Sequence, residues 1–258
     1  MSAAQLGEMS AVLGAGVAAG AVNAVVGSGT LISFPVLLAT GLPPVTATVS
    51  NALGLIPGSI SGAVGYRHEL RGLRGRVLKF SAGAVLGGLT GATLLLALPA
   101  SAFERIVPVL VGLALVLVVL QPLIGGRLRD RRERKGTAVR PDGGPLLFIG
   151  LALASVYGGY FSAAQGIIYV ALMGMLLDDG LQRLTAVKNV LVAVVNSVAA
   201  LFFLFAAEFD WTAVALLAVG SAAGGHLGAK VGRRLRPSVL RAFIVLVGTA
   251  SIVQLVLR

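Results

Sequence analysis

The chain has no cysteine, two histidines and only ten acidic residues among its 258 positions. Without cysteine there are no disulfides, thiolate metal sites or cysteine nucleophiles. His68 and His226 do not form an H-E-x-x-H pair, and no G-x-x-x-x-G-K-[ST] loop for nucleotide hydrolysis occurs. The glycines of GAGVAAG at 14–20 lie inside an apolar run, where a dinucleotide fingerprint does not belong. No Asp or Glu falls clearly inside an apolar run, which disfavours a carboxylate cation site or proton relay. No catalytic residue set, metal site or cofactor is expected, and the chain is read as a non-enzyme. The opening MSAAQLGEMS lacks a positive n-region and is not read as a cleavable signal.

What is present is apolar. Hydrophobic residues make up 57% of the chain and charged residues 12%. This places it among integral membrane proteins. Apolar runs fall roughly at 8–26, 29–40, 46–65, 77–98, 105–124, 145–164, 166–177, 184–207, 211–231 and 239–257. Several, such as 77–98, are long enough to cross a bilayer.

The net charge of +11 is concentrated. Of 21 Lys and Arg residues, 17 lie in clusters at 67–79, 127–140 and 230–241. Basic clusters flanking apolar runs follow the positive-inside bias, so no nucleic-acid partner is expected. The lipid bilayer is the expected surrounding, as a multi-pass protein of the inner (plasma) membrane. The longest polar stretch, GGRLRDRRERKGTAVRPDGG at 125–144, reads as a basic cytoplasmic linker.

The linker divides two similar halves, 1–124 and 145–258. Gly83, Gly87 and Gly91 recur 137 positions later as Gly220, Gly224 and Gly228, and GGLTGA at 87–92 recurs as GGHLGA at 224–229. The spacing is that of small residues at tight helix contacts. The basic loop comes first in one half and second in the other, as expected for opposite orientations in the membrane. The fold expected is therefore an all-α integral membrane protein with two inverted repeats. Each repeat would hold a broken-helix (re-entrant) hairpin and three transmembrane helices, with the linker inside and both termini outside.

The hairpins are read from two interruptions, GSGT at 27–30 and YGGYFSAAQG at 157–166. The arm at 166–177 would cover about 18 Å at ~1.5 Å per residue, short of a hydrocarbon core of about 30 Å. Unpaired backbone at that depth survives only where protein or a wet cavity surrounds it. Each second arm would begin at mid-membrane with free N–H groups, an end that favours anions. A small anionic substrate is the expected partner. The candidate binding residues are Asn23, Gly27, Ser28, Gly29 and Thr30 at the first break, and Gln165 and Gly166 at the second. Ser50 and Asn51, and Lys188, Asn189 and Asn196, follow in the next helices. Lys188 is the one basic residue clearly inside a span, where a charge costs at least about 2.5–3.5 kcal/mol. It is read either as an anion ligand or as a lysine whose stem reaches the inner interface. Asn23 and Asn196 are equally readable as bonds between helices.

NAVVGSGTLISFPVLLATGLPPVTATVSNALGLIPGS at 23–59, YGGYFSAAQG at 157–166, TAVKNVLVAVVNS at 185–197 and GGHLGAKVGRRL at 224–235 resemble the TauE/SafE family of sulfite exporters. The resemblance implies a secondary transporter that exports a small sulfur-containing anion of the sulfite, sulfonate or sulfoacetate class. A passive anion channel, or a permease for another small organic anion, would share the site. The sequence leaves the number of copies open, a homo-oligomer included.

Overall fold

The computed structural model describes residues 3–134, 142–231, 245–246 and 249, and the described residues form helices joined by turns. In chain order these are α1 (Ala3–Val25), α2 (Thr30–Ala39), α3 (Pro44–Gly54), α4 (Ile56–Gly65), α5 (Arg74–Ala97) and α6 (Ala100–Arg134). There follow α7 (Gly144–Tyr160), α8 (Gln165–Leu176), α9 (Leu181–Phe203) and α10 (Trp211–Val231). A 3₁₀ turn, Arg67–Leu70, precedes α5. Among the described residues, five stretches are long and apolar enough to cross a membrane: Ala4–Val25, Arg74–Ala97, Ser101–Leu120, Leu181–Phe203 and Trp211–Lys230. The chain is thus an all-helical, multi-pass membrane protein.

Two departures from the sequence reading concern boundaries. The run 46–65 is not one rod: α3 ends at Gly54 and α4 begins at Ile56. Pro57 sits in the first turn of α4, where its missing N–H costs nothing. At the other end of this half, α6 does not stop at 124 but continues to Arg134, ten residues into the basic linker. The rest of the linker lies outside the described residues up to 141, as does the run at 239–257 apart from 245–246 and 249.

The helices pack crosswise between the halves. The glycine ladder of α5 lies on α7, and that of α10 lies on α1. A methyl group at Gly87 would run into the Ala152 carbonyl oxygen, and one at Gly91 into that of Val156. Correspondingly, a methyl at Gly224 would run into the Val17 carbonyl oxygen, and one at Gly228 would stand 2.5 Å from that of Ala21. The two sets of contacts match in detail. Gly224 and Gly228 lie 137 positions after Gly87 and Gly91, while Ala152 and Val156 lie 135 positions after Val17 and Ala21. Lipid gives apolar helices no reason to exclude one another's company, so close backbone approach supplies the van der Waals contact that holds such a bundle. In the same manner α4 packs on α10 and α5 on α9.

The start of α7 lies beside the end of α8. A methyl at Gly143 would stand 3.2 Å from Leu177 Cδ2, and Leu147 and Leu177 share one buried cluster. A charged network ties this end together. The Asp179 carboxylate takes Arg76 of α5 on one oxygen and, at 3.2 Å, Arg183 of α9 on the other. Arg183 also donates to the Arg71 carbonyl at 3.1 Å. Arg76 in addition lies 3.6 Å from Asp142.

Candidate functional site

The two interruptions meet in the interior. After α1 the chain turns at Gly27, whose φ of +87° suits glycine, and α2 starts at Thr30. After α7 it turns through Ser162 and Ala164, both at positive φ, and α8 starts at Gln165. Such φ values cost non-glycine residues of order 1–3 kcal/mol and persist only where the surroundings fix them. Here the Tyr157 hydroxyl donates to the Ala163 carbonyl at 2.7 Å, and Phe161 packs edge-on to Phe34 with ring centroids 5.2 Å apart.

The tips touch through backbone. The Gly166 amide donates to the Gly27 carbonyl at 3.1 Å, and a methyl on Gly27 would stand only 2.5 Å from the Gly166 Cα. Side chains add a second link. Ser33 donates to Asn51 Oδ1, and the Asn51 amide donates to Thr30 Oγ1 at 3.3 Å. Thr30 Oγ1 in turn lies 3.1 Å from Ser162 Oγ. All of these except Ser162 are buried.

Lys188 is wholly buried. Its ammonium donates to the Asn23 carbonyl at 2.6 Å and to the Ala24 carbonyl at 3.1 Å. Asn189 also donates to the Ala24 carbonyl, at 3.1 Å. These carbonyls belong to the last turn of α1, which has no following turn to bond them. A cation there also suits the negative end of the helix. The stem of Lys188 passes between the tips, with its Cδ within 3.0 Å of where a methyl on Gly27 or Gly166 would sit. The Asn23 side chain donates to Ser59 Oγ at 3.1 Å.

The amides differ between the tips. At the second, Gln165, Gly166 and Ile167 all donate to backbone carbonyls. At the first, the amides of Ser28, Gly29 and Thr30 have no acceptor among the described residues. Ser28 Oγ is buried beside them without a hydrogen-bond partner. This tip is a ready acceptor of negative charge, because consecutive backbone N–H groups at a helix start converge on one point.

Of the residues expected from sequence, the structure brings together Asn23, Gly27, Ser28, Gly29, Thr30, Asn51, Gly166, Lys188 and Asn189. It directs three elsewhere. Gln165 turns towards α7, where its amide lies against Gly158, and donates to the Tyr169 hydroxyl of its own helix at 2.6 Å. Ser50 accepts from the Asp210 amide at 3.0 Å, at the start of α10. Asn196 is buried two turns beyond Asn189 on α9. Ser33 and Ser162 join the cluster unannounced. Their signals were present: Ser33 follows Thr30 by three residues, one helical turn, and Ser162 sits 135 positions after Gly27.

Crosswise glycine contacts and paired breaks run through both halves, and a family comparison covers the same span. Residues 12–255 match the family described as "Sulfite exporter TauE/SafE". The chain belongs to the TauE/SafE family. This TauE/SafE chain is 27% identical to the "Probable membrane transporter protein YfcA" of Escherichia coli strain K12 over 238 residues, 92% of this chain and 85% of that protein. It is likewise 27% identical to a "Probable membrane transporter protein" of Haemophilus influenzae, over 90% of this chain and 88% of the relative. A third relative, the "Probable membrane transporter protein ORF9" of a Sinorhizobium species, is 26% identical over 92% of this chain and 88% of its own length. No solved structure matches the TauE/SafE chain.

Proposed function

We propose that this membrane protein is a secondary transporter that carries a small anion out of the cell, binding it at the α1–α2 break. The observation that carries the reading is the set of three successive amides, Ser28, Gly29 and Thr30, buried with the Ser28 hydroxyl and without an acceptor among the described residues. A buried donor without a partner costs about 1–3 kcal/mol, so three in a row mark a place made for a ligand's oxygens. The Lys188 ammonium close by adds positive potential. It uses two of its three donors on α1, which leaves the third for the anion. Thr30, Asn51 and Ser162 add hydrogen-bonded polar side chains at the same break. Family membership favours a sulfur oxyanion: sulfite, a sulfonate or sulfoacetate.

Each half, 1–124 and 145–258, is read as one repeat, inserted in opposite senses, with α1–α2 and α7–α8 as the broken hairpins. The reciprocal ladder contacts and the meeting of Gly27 with Gly166 support this arrangement. The neighbouring ends of α7 and α8 support a re-entrant path for the second hairpin. The basic end with Arg76, Asp179 and Arg183 then faces the cytoplasm of the inner membrane, with the 125–144 linker. Access alternates as the two repeats rock about the tips. The solute crosses chemically unchanged.

The test is flux of labelled sulfite in proteoliposomes. Ser28→Ala removes one bond to a charged ligand, about 1.5–3 kcal/mol, so the concentration for half-maximal flux rises roughly 10- to 100-fold at an unchanged folded yield. Flux that responds to neither Ser28→Ala nor Lys188→Met moves the anion away from this break.

A further inference from the structure

The two broken helices end in the same way but are completed differently. α1 stops at Val25 and α7 at Tyr160, 135 positions later. The carbonyls that accept Lys188, those of Asn23 and Ala24, therefore correspond to those of Gly158 and Gly159. The latter two accept no hydrogen bond among the described residues, since Phe161 and Ser162 both donate to the Tyr157 carbonyl instead. Nor does the second half's ammonium have a counterpart here. The residue 137 positions before Lys188 is Asn51, and Asn51 is engaged with Thr30 and Ser33. Among the described residues, the negative end of α7 thus lacks the cation that the end of α1 receives from Lys188.

A buried side-chain amide lies against Gly158, in that last turn. The Gln165 side chain rests on Gly158, and its Oε1 is buried without a partner. Proton counting fixes which end of the amide is free. Ser155 commits its only hydroxyl hydrogen to the Leu151 carbonyl, at 2.7 Å. The 2.6 Å contact between Ser155 and Tyr169 must then use the Tyr169 hydrogen. Tyr169 consequently accepts from Gln165, so the Gln165 NH₂ faces Tyr169 and Oε1 faces away. A hydroxyl or amide donor could have completed Oε1, and none does among the described residues.

We propose that the second break binds a monovalent cationic group on Gln165 Oε1 and the Gly158 and Gly159 carbonyls, in the place that Lys188 takes in the first half. The donor set is neutral. No cluster of three or more His, Cys, Asp or Glu that could hold a metal occurs among the described residues. Three neutral oxygens suit a monovalent ion and fall short of the charge and ligand number that divalent cations demand. Half-helix C-termini and unwound carbonyls are the usual ligands of coupling ions in transporters with broken helices. The cation's use in coupling rests on the transport reading above; its binding does not. The same chemistry is offered by a free Na⁺ or by an ammonium group carried on the solute.

The experiment is thermal unfolding of the full chain in detergent at fixed chloride and ionic strength, exchanging choline for Na⁺ or for methylammonium. The site predicts a saturable rise in the unfolding midpoint of about 3 °C or more with Na⁺ over choline. Gln165→Leu abolishes the rise. Gln165→Glu, which supplies a formal charge in the same shape, retains it and shifts it to roughly tenfold lower cation. A Gln165-dependent response to methylammonium alone keeps the site and assigns its cation to the solute. Equal midpoints in all three salts, or a rise indifferent to both Gln165 variants, overturns the proposal. Sulfite titrated in choline buffer probes the first break separately. Its loss in Ser28→Ala with the Na⁺ response intact, or the reverse, shows which of the two sites has failed.

Discussion

The Gly166 amide donates to the Gly27 carbonyl at 3.1 Å, joining two residues 139 positions apart through their main chains. The contact leaves no room for a side chain on either residue. Gly27→Ala and Gly166→Ala should each lose about 3 kcal/mol or more, because backbone must shift in both and Gly27 also holds a φ of +87°. Thermal unfolding in detergent reads the loss. A midpoint within about 1 °C of the parent would mean that the tips part readily.

Lys188 closes the end of α1, so its removal acts on stability as well as on flux. Lys188→Met leaves the Asn23 carbonyl unsatisfied and weakens the hold on Ala24, which Asn189 still grips. A loss of about 1–3 kcal/mol is expected. Lys188→Gln, able to donate to one carbonyl, should recover part of that stability while flux stays low. Recovery of flux in step with stability would make Lys188 a structural residue only.

The ladder glycines offer a matched comparison. Gly87→Val and Gly224→Val drive methyl groups into the carbonyls of Ala152 and Val17 and should each abolish folded protein or cost several kcal/mol. Gly112→Ala on α6, where nothing stands within 4 Å, is the control and should leave expression and unfolding unchanged. Equal behaviour of the three would show that the ladders are not contact surfaces.

Asp179 bridges Arg76 of one half and Arg183 of the other, with only 10% of its side chain exposed. Asp179→Asn removes the charge both arginines share, and the neighbouring ends of α5, α8 and α9 should loosen. The cysteine-free chain makes this measurable. In a Ser162→Cys background, labelling by a membrane-impermeant maleimide from the Asp179 side should rise at least roughly threefold with Asp179→Asn. An unchanged rate would mean that these charges do not guard access to the tips.

Much of this arrangement was legible in the sequence, and the exceptions have physical causes. Glycine spacing announced the ladders, because only a missing Cβ permits such contacts, and the polar breaks stood out against lipid-compatible runs. The division of 46–65 into α3 and α4 was less visible. Pro57 is tolerated in a first turn as well as at a kink, and a hydropathy pattern does not distinguish the two. The continuation of α6 to Arg134 was hidden by charge, since Arg and Glu form helices as readily as they line loops. The direction of Gln165 was beyond reach. Its place at the start of a half-helix pointed to the tip, and the Tyr169 hydroxyl, one turn on along α8 and itself bonded to Ser155 of α7, draws it towards α7. Lys188 was marked as exceptional by burial cost alone, but its carbonyl partners lie 164 and 165 positions away.

The crosswise ladders also set a schedule for biogenesis. α1 emerges from the ribosome among the first segments, yet the face with which it finally packs belongs to α10, roughly two hundred residues later. Until then its glycine-rich surface and the orphan carbonyls at its tip must be sheltered by lipid, by the insertion machinery or by provisional neighbours. A chain truncated after the first half should therefore be degraded rather than accumulate. Supplying the second half as a separate polypeptide in the same membrane should rescue it.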